Sequence, residues 1–211
     1  LGGDGPPSTL MFAKFSPDGS HVAYVRQNHL FVQKLADLSL TQLTQDGNEE
    51  LINGTSDWVN EEELGLRDAF RWSPDGQHLL FWQFDTRKVK RFTLVNQTDG
   101  NNPILTRFPY PKAGETNSAI RLGVLPLSGG APTWLKIPGD PRQHYLPAAE
   151  WTPDGQQILV QQFNRLQNTL FVMLADPHSG DIKPVLTETD QAWVDNKNSD
   201  LRWLGQDFLW F

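Results

Sequence analysis

Apolar and polar positions along this chain fall into short β-rich runs, and the same kind of turn sets off several of them. Phe15-Ser16-Pro17-Asp18-Gly19 leads into His21-Val22-Ala23-Tyr24-Val25. Trp72-Ser73-Pro74-Asp75-Gly76 leads into His78-Leu79-Leu80-Phe81-Trp82, and Trp151-Thr152-Pro153-Asp154-Gly155 into Gln157-Ile158-Leu159-Val160. A decayed fourth copy, Trp203-Leu204-Gly205, leads into Phe208-Leu209-Trp210-Phe211. In each turn Pro sets φ at the second position, Asp caps through its side chain, and Gly accepts positive φ. An aromatic before the turn and a β-rich run after it make a strand–turn–strand hairpin. Further runs follow the first copy at 29–35 and 40–43, and the third at 169–174 and 182–186.

That is roughly four strands per unit, the pattern of a propeller blade. The aromatics ahead of the turns then belong in the core between blades, and the turn aspartates are structural. A blade takes about 40–50 residues, so a chain of 211 holds about four. The expected fold is all-β: a partial β-propeller of about four four-stranded antiparallel blades, forming part of one domain over residues 1–211. The opening Leu1-Gly2-Gly3-Asp4-Gly5-Pro6-Pro7, without an initiator Met, and the apolar end Phe208–Phe211 lead us to expect a piece of a longer protein.

Composition narrows the function. The net charge is −7, which argues against a nucleic-acid protein with its usual basic face. The short stripe Arg87, Lys88, Lys90 and Arg91 reads as a solvated strand face. No apolar run approaches the about 20 residues of a membrane helix. The absence of Cys excludes a disulfide scaffold, a thiol nucleophile and a Cys-ligated zinc. The five histidines (His21, His29, His78, His144, His178) show no metal-ligand spacing, so no metal or cofactor is expected. No Gly-x-Ser-x-Gly elbow occurs; the nearest match, Gly54-Thr55-Ser56-Asp57-Trp58, ends in Trp. No catalytic nucleophile is therefore assigned within this chain.

One segment stands apart: Asn53-Gly54-Thr55-Ser56-Asp57-Trp58-Val59-Asn60-Glu61-Glu62-Glu63-Leu64. Ser56 or Asp57 is placed to cap a short helix starting near Val59, with acids in its first turn suiting the dipole. Successive helical residues point about 100° apart, so two of the three glutamates can converge while the third faces elsewhere. Two readings follow. One is a solvated acidic cap. The other is a cation site, because two carboxylates suit an ammonium group with three donors and one charge. A peptide α-amino group, with pKa about 7.7–8.0, is mostly protonated at neutral pH. Such a pair would bind a free N-terminus and reject a blocked one.

Here the chain resembles a known family. Asp57-Trp58-Val59-Asn60-Glu61-Glu62-Glu63 is similar to the Asp-Trp-Val-Tyr-Glu-Glu-Glu stretch of the dipeptidyl peptidase IV propeller. Phe108-Pro109-Tyr110-Pro111-Lys112-Ala113-Gly114-Glu115-Thr116-Asn117 resembles that family's Pro-Tyr-Pro-Lys-Ala-Gly-x-x-Asn. The resemblance implies an eight-bladed propeller followed by an α/β-hydrolase domain that carries the Ser, Asp and His triad and lies outside this chain. It implies a serine exopeptidase removing Xaa-Pro or Xaa-Ala dipeptides from free peptide N-termini. Glu62 and Glu63 would hold the substrate amine, with Glu61 supporting and Trp58 packing the segment.

The resemblance further implies a two-fold dimer contact through an arm at residues 83–107, with Phe92, Leu94, Val95, Ile104 and Leu105 offering an apolar face. It also implies a periplasmic or otherwise extracytoplasmic location. Asn60 stands where the family often has Tyr, no position here matches its upstream arginine, and the region after Trp193-Val194 resembles its substrate-bordering loop, with Asp195–Lys197 not aligned residue by residue. Two other classes stay open: a non-enzymatic propeller binding protein or sugar, and a related oligopeptidase or acylaminoacyl peptidase. An ammonium trap would not serve an enzyme that accepts blocked or internal peptides, and a Gly-x-Ser-x-Gly after a strand downstream would separate the peptidase from the binding propeller.

Overall fold

The computed structural model describes residues 1, 9–195 and 201–210. Asn196, Lys197 and Phe211, and the opening from Gly2 to Pro7, lie outside them. Blade 1 is the antiparallel sheet β1-β2-β3-β4, from β1 (Leu10–Phe15), β2 (His21–Arg26), β3 (His29–Lys34) and β4 (Leu40–Gln42). Blade 2 holds β5 (Leu51–Asn53), β6 (Phe70–Trp72), β7 (His78–Asp85), β10 (Ala119–Pro126) and β11 (Thr133–Trp134). It carries two insertions, the helix α1 (Trp58–Leu64) and a hairpin of β8 (Arg91–Asn96) and β9 (Ile104–Pro109). Blade 3 is β12 (His144–Trp151), β13 (Ile158–Asn164), β14 (Thr169–Ala175) and β15 (Ile182–Thr189), in that order. A fourth sheet begins with β16 (Leu201–Leu204) and β17 (Asp207–Trp210).

The apolar runs are nearly continuous because blades bury both faces. Successive strand residues point to opposite sides. In β7, Leu80, Trp82 and Phe84 enter the core shared with blade 3, beside Leu146, Ile158 and Val160. Leu79 and Phe81 enter the core shared with blade 1, beside Val25, Leu30 and Val32.

The three full turn repeats are superimposable in their bonding. The Ser16 hydroxyl donates to Asp18 Oδ1 (2.6 Å), which also accepts from Ser20 N (3.0 Å). Asp75 accepts likewise from the Ser73 hydroxyl and Gln77 N, and Asp154 from the Thr152 hydroxyl and Gln156 N. Gly19, Gly76 and Gly155 sit at φ 70°, 69° and 70°, where a side chain would be strained.

The aromatics ahead of the turns stitch blades together by indole hydrogen bonds. Trp72 Nε1 donates to Lys14 O (3.1 Å) in blade 1, and Trp151 Nε1 to Arg71 O (3.4 Å) in blade 2. Trp203 lies close to the Glu150 side chain. Lys14, Arg71 and Glu150 each directly precede the aromatic of the previous repeat, so Trp203 keeps the register of a fourth copy. Phe15 departs from the expectation: it is 67% exposed, because no sheet precedes blade 1 among the described residues.

Two further expectations are corrected. Residues 83–85 belong to β7, so the arm begins after Asp85 and its second strand runs on to Pro109. The basic stripe is exposed as expected, but it lies mostly on the turn into β8 rather than on a strand face, and three of its members form ion pairs: Arg87 with Asp85 (2.6 Å), Lys90 with Glu115 (2.5 Å) and Arg91 with Glu49 (3.8 Å).

The turn aspartates predict an acid response. Hydrogen bonds from Ser16, Ser73 and Thr152, then from neighbouring groups of each turn, hold Asp18, Asp75 and Asp154 below the usual carboxylate range. A depressed folded-state pKa stabilises above the unfolded value of about 3.9 and is lost as pH falls through the folded one. Replacing all three by Ala should lower the melting temperature of the full-length protein at pH 7. The gap to wild type should narrow below pH about 4; a gap that does not change with pH would remove the aspartates from this role.

Candidate functional site

The glutamate helix grows out of a single broken strand. β5 and β6 pair with the same edge of β7, Leu51–Asn53 against Gln83–Asp85 and Phe70–Trp72 against Leu79–Phe81. Between them the chain leaves the sheet and returns at Trp82. Gly54 N donates to Trp82 O (3.1 Å), Trp82 N to Ala69 O (3.0 Å), and Ala69 N to Gly54 O (3.0 Å). Gly54 is required at this neck: its φ is 76°, and a Cβ would lie 2.6 Å from Leu30 Cδ2 of blade 1. The loop 55–68 is thus extruded from a sheet that stays continuous beneath it.

Within the loop both helix ends are capped. Asp57 is the N-cap, with extended backbone (φ −86°, ψ 173°). Its Oδ1 accepts from Asn60 N (3.0 Å) and Asn60 Nδ2 (2.7 Å), and its Oδ2 from the Ser118 hydroxyl. The C-terminus ends on Gly65 in the left-handed region at φ 67°. There Gly65 N donates to Glu61 O and Leu66 N to Asn60 O, a pairing that satisfies otherwise orphaned carbonyls. Asn60, 2% exposed, therefore extends the cap where the family often has Tyr. Its Oδ1 and the Ser56 hydroxyl are buried without a partner.

The two sequence motifs meet across the helix. The Trp58 ring lies over Tyr110, centroids 4.2 Å apart, and Tyr110 packs on Phe92 and Phe108 at the arm's root. Asn117 Nδ2 donates to the Tyr145 hydroxyl (3.0 Å) of blade 3. Two arginines hold this segment by its backbone: Arg142 donates to Asn117 O (2.9 Å) and Arg165 to Glu115 O (2.6 Å). Arg142 also pairs with Asp85 (3.4 Å). On the helix's inner side Leu64 and Val59 join the blade 3 cluster of Tyr145 and Phe163.

The three glutamates end up in different states. Glu61 pairs with Arg67 (3.1 Å), so its charge is already answered. Glu62 and Glu63 are exposed, and neither makes a hydrogen bond or ion pair among the described residues. Two free carboxylates therefore stand next to each other on a helix locked at both ends, by its N-cap, by Trp58 and by Leu64. Chemically this suits a cation. Among the described residues no group of three or more His, Asp or Glu is arranged to hold a metal ion.

Asp57 was legible, beside Ser56, as a cap candidate ahead of the glutamates, and Trp58 through the family resemblance. Arg142 and Arg165 were not: each is an isolated basic residue, and its role appears only when blade 3 meets the arm's root. Removing the cap gives a local test. Asp57→Ala should cost about 2 kcal/mol, from the lost cap plus the stranded Asn60 and Ser118 groups. Hydrogen exchange across residues 58–64 of the full-length protein should then speed up about 30-fold. Unchanged protection there would show that the helix does not depend on Asp57.

Comparison with known proteins fits this architecture. Residues 4–211 match the family described as dipeptidyl peptidase IV N-terminal region. A probable dipeptidyl peptidase 4 of Emericella nidulans is 33% identical over 198 residues, covering 89% of this chain and 25% of that protein. The inactive dipeptidyl peptidase 10 of Mus musculus is 30% identical over 198 residues, covering 92% and 25%. The crystal structure of Porphyromonas gingivalis dipeptidyl peptidase 4 superposes with a TM-score of 0.88 at 32% identity, covering 94% of this chain and 29% of that one. The chain thus spans about a quarter of the length of the curated relatives it matches. A match across residues 4–211, with blades and an extruded helix in the expected order, shows that the chain belongs to the N-terminal propeller region of the dipeptidyl peptidase IV family.

Proposed function

We propose that this chain is the part of a dipeptidyl peptidase that reads the free N-terminus of a peptide, with Glu62 and Glu63 as the amine's binding pair. The observation that carries the proposal is their state. They are the two members of the triplet left exposed and unpaired, while Glu61 is engaged by Arg67. Glu61 and Trp58 are positioning residues in this reading, one by its ion pair and one by its contact with Tyr110.

The geometry works as a ruler. An ammonium group anchored on the helix fixes one end of the substrate. Two extended residues span about 7 Å, which sets where the second peptide carbonyl falls. A serine nucleophile on a hydrolase domain would then cut after the second residue. Binding energy far from the reacting bond orients that bond, so losing the anchor should lower kcat/KM.

A second reading has its own support. The mouse relative is described as inactive, so the same propeller is compatible with a non-enzymatic binding protein.

One experiment separates these readings in the full-length protein: cleavage of a Gly-Pro chromogenic amide beside its N-acetylated twin. The proposal expects turnover of the free amine and none of the blocked one. Glu62→Gln and Glu63→Gln should each lower kcat/KM about 10- to 100-fold, the loss of one charge-assisted hydrogen bond of about 1.5–3 kcal/mol. Equal cleavage of both substrates would take the glutamates out of the substrate site. Cleavage of neither would favour the binding propeller.

A further inference from the structure

Blade 2 ends in β11, only two residues long, while blade 3 continues through β14 and β15, of seven and eight residues. For a few residues beyond β11 the chain still covers blade 3. Leu135 and Ile137 enter the shared core, and Lys136 N donates to Gly180 O (2.8 Å). It then turns away through Pro138 and Gly139, the latter at φ 91°. This departure leaves a cavity of about 460 Å³, bounded by Pro138, Phe171, Met173 and Pro184 and backed by His144 and Gln162. That size falls within the range of small-molecule sites, about 300–1,000 Å³.

The two polar residues at the back are 3% and 5% exposed, and their hydrogen bonds fix each other's orientation. Pro138 O can only accept, so Gln162 must turn its NH₂ towards it (2.8 Å). The same nitrogen lies 2.9 Å from His144 Nδ1, which must therefore be the bare, accepting ring nitrogen. The ring proton then sits on Nε2, facing Ile120 O at 3.4 Å. Burial pushes the His144 pKa down, in keeping with this neutral ring.

Both N–H groups of Gln162 are thus used, and its Oε1 accepts from no described residue. Nor is this oxygen among the sealed, unpartnered atoms, so it keeps some access, and Gln162 is one of the residues that line the cavity. The buried pair His144 and Gln162 thus offers one bare acceptor and no spare donor; exposed Gln143 and half-buried Asn164, whose Nδ2 donates to Asn168 Oδ1, also line the cavity. The floor is two prolines, a phenyl ring and a thioether, surfaces suited to a flat ring. Asp140, an exposed carboxylate among the lining residues, would repel an anion.

We infer that this cavity binds a small neutral aromatic molecule with a single N–H or O–H donor. The ring lies against Phe171, Met173 and the two prolines, and the donor reaches Gln162 Oε1. The site shares no lining residue with the glutamate helix, so it stands or falls apart from the ruler.

The test uses 5-fluoroindole and its 1-methyl derivative as fluorine-NMR probes of the full-length protein. The parent probe should bind saturably, and methylation should weaken binding about five- to tenfold, the worth of one net hydrogen bond. Gln162→Met should bring the two probes to equal affinity, and Met173→Trp, which fills the cavity, should abolish binding of both. Should Gln162→Met fail to fold, the wild-type pair and Met173→Trp decide alone. No saturable binding to wild type, equal affinity of the two probes, or unchanged binding to Met173→Trp would each overturn the inference.

Discussion

The backbone of Trp82 is where this structure is decided. Its carbonyl accepts from Gly54 and its N–H donates to Ala69, so one β-strand is opened and shut again on a single partner residue. The fourteen residues between those two leave the sheet without breaking it. The Trp82 side chain, fully buried, donates through Nε1 to Leu146 O of blade 3 (2.8 Å). The residue that pinches the loop thus also locks the neighbouring blade in place. Gly54 makes the pinch possible, because blade 1 leaves no room for a Cβ there.

From this neck the helix inherits its rigidity. A seven-residue helix has little stability alone, since nucleation is costly and propagation short. Here the cap, the Trp58–Tyr110 contact and the burial of Leu64 supply what length cannot. The arm's root lies against the same helix, and Arg142 and Arg165 hold that root by its carbonyls. Blades 2 and 3 and the arm therefore meet around one short element.

Much of this was legible in the sequence where local chemistry governs. Ser/Thr-Pro-Asp-Gly turns announce themselves because each residue answers a backbone requirement, and all three form as read. Ser56 or Asp57 with the acids that follow announced the helix and its cap, and Asp57 is the residue that caps it. What could not be read depends on residues far apart in the chain. Nothing local marks Leu51–Asn53 and Phe70–Trp72 as halves of one strand. The exposed Phe15 shows the reverse case: the repeat assigns it a core role, but its partner is a neighbouring sheet, not its own hairpin. Of the glutamates, the sequence placed three carboxylates on a helix. Only the Arg67 ion pair showed which one is occupied.

In the proposed function Glu62 and Glu63 meet a free amine from a fixed position. The most direct measurement is a crystal structure of the full-length protein with Ala-Pro, a dipeptide of the kind the enzyme would release. The ruler predicts the α-ammonium nitrogen about 2.7–3.2 Å from carboxylate oxygens of both residues, with helix 58–64 unmoved. An ammonium group bound elsewhere, or held by only one of the two while the helix shifts to reach it, would contradict the account.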